Sequence, residues 1–144
     1  MKTNGKKVVV LPCSGIGKTL GTVGREIAYE LIENVRPGVT TTICLPLLMI
    51  DDVEAKQLVT DNPVITIDGC PFSCASKSIE SIGVKVSKAY RAIDFCKTHR
   101  DLKPEGIVEL NEAGKKLVVL AAQEVAEEVE RLLAEEKVSW TSKS

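Results

Sequence analysis

The chain has 144 residues, 44 % hydrophobic and 27 % charged, and its 19 Lys and Arg against 20 Asp and Glu give a formal charge of −1. That length supports one compact domain with a radius of gyration of about 14.5 Å, expected over 1–144 with its core at about 6–136. Balanced charge provides no broad field for nucleic acid or an anionic membrane, and the few aromatic residues (Trp 1, Tyr 2, Phe 2) leave no stacking platform for bases.

Leu45 to Ile50, interrupted by Pro46, is too short to cross a bilayer, and Met1 to Lys7 is polar rather than a secretory leader, so a cytoplasmic protein is expected. The 5 cysteines are then read in a reducing setting, where thiols serve metals or chemistry more often than disulfides.

Lys6 to Pro12 is a continuous apolar run that predicts a strand buried on both faces. A small-residue loop from Cys13 follows. Thr22 is placed to cap a helix bearing Val23, Ile27, Leu31 and Val35, which Pro37-Gly38 ends. Thr40 to Leu45 predicts a second strand and Asp52 to Val59 a short helix, with Asp51 and Asp52 at its start. After the Asn62-Pro63 turn, Val64 to Ile67 predicts a third strand, broken by Gly69. Pro71 suits the first turn of a third helix that runs to about Ile82 and stops at Gly83. Tyr90 to Phe95 is expected as a fourth strand. From about Asn111 a long amphipathic helix carries Val118, Ala121, Ala122, Val125, Val129, Leu132 and Leu133 on one stripe, opposite solvated glutamates, before a frayed end at Val138 to Ser144. Alternating strands and helices predict a three-layer α/β/α fold with a mostly parallel sheet of about four strands.

In that arrangement Cys13, Cys44, Cys70 and Cys96 each follow a strand or lie near its end, and strands of a parallel sheet share one carboxyl edge. Cys74 joins Cys70 locally, four residues on and on one face of the third helix. Any single cysteine taken alone reads more readily as a small core hydrophobe; their shared placement at strand ends shifts the balance for the group, while for Cys96 the core or free-thiol reading is preferred. Asp68 is expected to cap the turn into the third helix, with a role behind a metal site or as a base as its alternative. His99 is a lone loop histidine expected to be exposed and inert.

The segment Val64-Ile-Thr-Ile-Asp-Gly-Cys-Pro-Phe-Ser-Cys-Ala resembles the Asp-Gly-Cys signature of the DGC-domain family, and Cys13-Ser14-Gly15 after a strand is similar to that family's opening. The resemblance runs from about Val8 to Phe95. It implies a zinc site, with Cys13, Cys44, Cys70 and Cys74 as ligands, and no particular biochemical activity. Ser14, Gly15, Asp68 and Gly69 would support the ligands or form an anion-holding loop, and Cys96 is the reserve ligand. Four thiolates complete a tetrahedral zinc shell of formal charge 2 − 4 = −2, which backbone N–H groups can offset.

Two other chemistries are open to these residues. Cys70 and Cys74 could form a redox or sulfur-transfer pair activated by a helix N-terminus. Gly15-Ile-Gly-Lys-Thr imitates the end of a phosphate loop, but position 12 is Pro where the full pattern needs glycine, which makes nucleotide binding a degenerate match. An iron–sulfur cluster of the radical type would need a cysteine at 77, where Lys77 stands.

Overall fold

The computed structural model describes residues 7–13, 17–69 and 71–142, with 136–142 as backbone. In chain order it contains β1 (Val8–Pro12), α1 (Thr19–Glu30), β2 (Thr40–Thr41), α2 (Val53–Asp61), β3 (Val64–Asp68), α3 (Cys74–Ser81), β4 (Lys88–Arg91), α4 (Ala92–Thr98) and α5 (Glu112–Ser142). A wide π-type turn, Leu31–Val35, closes α1, and a short 3₁₀ turn, Leu45–Leu48, follows β2. The four strands form one parallel sheet in the order β2-β1-β3-β4. In register, Val9 to Pro12 lie beside Val64 to Ile67, and Ile65 to Asp68 beside Lys88 to Arg91.

Successive strand residues point to opposite faces, so β1 has to be apolar throughout if both faces are covered. They are. Val8, Val10, Ile65 and Ile67 pack with Val23, Ile27 and Leu31 of α1, Phe95 of α4 and the apolar stripe of α5. Val9, Leu11 and Val64 face the other way, onto Leu48, Ala55, Val59 and Ile79. The result is the expected three-layer α/β fold. The α5 stripe is buried from Leu117 to Leu132, and Asn111 caps that helix by accepting the Gly114 N–H at 2.8 Å.

Several boundaries differ from the sequence reading for local reasons. α1 begins at Thr19, so Thr22 lies inside it, where its hydroxyl donates to the Ile107 carbonyl instead of capping the helix. β2 is only two residues long: its pairing with β1 ends at Thr41, and residues 42–44 lead into the 3₁₀ turn Leu45–Leu48. The fourth strand ends at Arg91. Ala92 and Phe95, read as strand positions, are three apart on the buried face of α4 and pack with α1. α3 starts at Cys74, after Ser73 in the left-handed region (φ 54°), not at Pro71. Asp52 does cap α2, accepting the Ala55 N–H at 2.9 Å. α5 continues through Ser142, so the end expected to fray from Val138 is helical there.

Candidate metal centre

The strand order places β2 on one side of β1 and β3 on the other, so the chain reverses its direction of build between β1 and β3. Ligand crevices of open parallel sheets lie outside the carboxyl ends of strands at such a reversal. Two chain segments leave the sheet there, Pro12-Cys13 and Asp68-Gly69. The ladder extends one residue past β1, with the Cys13 N–H donated to the Ile67 carbonyl at 3.1 Å. A second contact binds the two exits: the Gly69 N–H donates to Cys13 Sγ at 3.1 Å, and Cys13 is 3 % exposed.

Gly69 is there because nothing larger fits. A Cβ at this position would lie 2.8 Å from both the Cα and the N of Gly21 and 2.9 Å from the carbonyl carbon of Leu20, all backbone atoms of α1. The first turn of α1 thus closes directly over the end of β3. Two glycines meeting backbone to backbone set the distance between them.

Asp68, 2 % exposed, organises the other side of the crevice. Its Oδ1 accepts the Ala75 N–H at 2.7 Å, while Oδ2 accepts the Ser76 hydroxyl at 3.1 Å and the Ser76 N–H at 3.4 Å. These are N–H groups of the first turn of α3, whose own cap residue, Ser73, makes no side-chain cap bond. The expected capping role therefore holds, on Ala75 and Ser76. Ser76 has one hydroxyl hydrogen and gives it to Asp68, so the 2.7 Å contact between Thr66 Oγ1 and Ser76 Oγ is a donation from Thr66. The chain Thr66 to Ser76 to Asp68 ties β3 to α3. Thr66 and Ser76 were not singled out from the sequence. The available signal was the polar pair Thr66 and Asp68, two residues apart on one face of an otherwise apolar strand.

The cysteines fall as follows. Cys13 is buried at the crevice, and Cys74 is the exposed first residue of α3. α3 begins at Cys74, and the expected pairing of Cys74 with Cys70 falls on a residue outside the described ones. Cys44 is exposed, directly before the 3₁₀ turn, whose Leu48 packs in one cluster with Ile79 of α3. The elements opening with Cys44 and Cys74 are therefore packed together. Cys96 is half-buried in α4 against the α1 and α5 core, and burial pushes its thiol pKa up. Cys70, Ser14 and Gly15 lie outside the described residues. Among the described residues, no group of three or more His, Cys, Asp or Glu is placed to hold a metal ion.

His99 lies in the bend directly after α4, as a loop residue, but it is half-buried rather than exposed and inert, with its Nε2 3.2 Å from Glu124 Oε2 on α5. For the redox reading, the Ala75 and Ser76 amides of the first turn of α3 are given to Asp68, and Cys70 lies outside the described residues. For the phosphate-loop reading, Lys18 and Thr19 sit at the start of α1, while the turn at 14–16 is outside the described residues.

These features define a parallel α/β protein whose carboxyl edge carries cysteines beside a capped Asp-Gly turn. The chain belongs to the DGC domain family, whose model matches residues 9–114, well over half of its length. The chain matches no curated protein and no solved structure. No helix among the described residues is long and apolar enough to cross a membrane.

Proposed function

We propose that this DGC-family chain binds a zinc ion at the carboxyl edge of its sheet, with Cys13, Cys44, Cys70 and Cys74 as the ligands. The observation that carries the reading is the Gly69 N–H donated to the buried Cys13 sulfur. An amide aimed at a buried sulfur stabilises negative charge there, as a thiolate ligand requires. The donor set is the one zinc prefers, since four cysteine thiolates make a closed structural shell, whereas three leave a position for substrate. The other residues support the ligands. Asp68 fixes the first turn of α3, and with it Cys74, while the Gly21–Gly69 contact fixes the Cys13 exit.

Elemental analysis of the full chain purified without added metal is expected to find about one zinc per chain. Cys13→Ser and Cys70→Ser should each lose it, and Cys96→Ser should keep it. Protein that carries neither zinc nor iron, and shows no affinity on zinc titration, overturns the proposal.

A further inference from the structure

We propose that the groove between α1 and the start of α5 docks a basic amphipathic helix of a partner protein. The groove, about 320 Å³, lies between α1 with its closing turn and the segment from Val108 into α5. Its apolar part includes side chains that a protein has no internal reason to leave in water: Val108 is 94 % exposed, Tyr29 47 % and Val119 46 %. Leu110 and Val118, both buried, line it between them.

Charge selects the occupant. Glu26 and Glu30 stand one turn apart on α1, Glu33 follows in its closing turn, and Glu109 stands on the opposite side. Lys115 is the lining cation, and its ion pairs are with Glu109 and Glu112. Neither Glu26 and Glu30 of α1 nor Glu33 of its closing turn pairs with a cation among the described residues, although like charges at this spacing disfavour the helix that carries them. The lining charge is −4 from the four glutamates plus 1 from Lys115, or −3, in a chain whose total is only −1. An anionic membrane is repelled by such a face. A helix with Lys or Arg at the same four-then-three spacing and an apolar stripe beside them matches both features.

The test uses the full chain and a fluorescein-labelled Leu/Lys amphipathic peptide of about 14 residues, four helical turns, with a Leu/Glu peptide of the same pattern as its counterpart. Fluorescence anisotropy should show binding of the Leu/Lys peptide alone. The double variant Glu30→Lys/Glu33→Lys, and separately Val108→Asp, should each weaken it by roughly tenfold or more. Val108 is too exposed for its substitution to unfold the chain. Charge reversal of the exposed Glu80 and Glu127, outside the groove, should leave binding unchanged. Failure of the Leu/Lys peptide to bind, or an equal loss in the Glu80/Glu127 variant, overturns the proposal.

Discussion

The two faces of the sheet are built differently. Among the described residues, the face under α1, α4 and α5 gathers 19 buried apolar side chains, and the face under α2, α3 and the 3₁₀ turn gathers 7. The thick face is aliphatic packing, with Phe95 as its one buried aromatic ring. The thin face also holds the polar chain from Thr66 through Ser76 to Asp68, and both Cys44 and Cys74 open elements that pack there. A buried polar network specifies one arrangement only when every member is satisfied, and no described buried side-chain polar atom lacks a partner. The contrast teaches that apolar area holds this sheet together, while directional bonds place the edge that carries the cysteines.

Matched truncations on the two faces test that division most directly. Ile27→Ala on the thick face is expected to cost about 2–5 kcal/mol in chemical denaturation, and Ile79→Ala, with fewer buried neighbours that must keep their places, should fall at the low end of that range. A larger loss for Ile79→Ala would break the comparison. Gly69→Ala comes next, at about 1–3 kcal/mol, because its methyl group would have to displace α1 backbone. The same variant should speed alkylation of Cys13 by disturbing the amide at its sulfur, a readout that simple loss of packing elsewhere would not produce.

Asp68→Ala leaves the Ala75 and Ser76 donors without their acceptor and should cost about 1–3 kcal/mol, with Asp68→Asn costing less because one oxygen remains. Thr66→Val, which removes one donor of the same network, should cost about 1 kcal/mol. If Thr66→Val proves as damaging as Asp68→Ala, the hydroxyl and not the carboxylate is the tie between β3 and α3.

The last effect belongs to the thick face and is seen only in alkali. Burial, helped by the carboxylates of Glu128 and Glu124, pushes Tyr90 up to about 12 from an ordinary 10.0. The folded chain thus holds this proton more tightly than the unfolded chain does. The stabilisation is complete below about pH 10 and is lost as the pH rises towards 12, where ultraviolet titration should show Tyr90 ionising. Tyr90 ionising near 10 would show that β4 is more open to water than its stacking on Phe95, with ring centroids 5.6 Å apart, implies.

The layered fold was legible because its signals are long. Val8 to Leu11 is an unbroken apolar run, Val64 to Ile67 is interrupted only by Thr66, and the α5 stripe repeats over many turns. Short-range choices were harder. Ala92 and Phe95 satisfy a helix face as well as a strand, and contact with α1, invisible in the sequence, decides between them. At the site, Asp68 as a cap was legible from its place between strand and helix. Its true partners were not, because they depend on where α3 starts, and the left-handed Ser73 shifts that start to Cys74. The role of Gly69 was hidden for a similar reason: the sequence marks a strand breaker, and only the approach of Gly21 shows why no side chain is tolerated.

The α5 helix carries a practical corollary. The family match ends at residue 114, whereas Leu117, Ala121, Ala122, Val125 and Val129, which share the cover of one side of the sheet with α1 and α4, all come later. A fragment cut at the edge of shared ancestry would lose the α5 part of the cluster that α1, α4 and the sheet share, leaving apolar side chains of α1 open to water, and would be expected to precipitate. In this chain the stretch that marks kinship is shorter than the stretch that has to be expressed together.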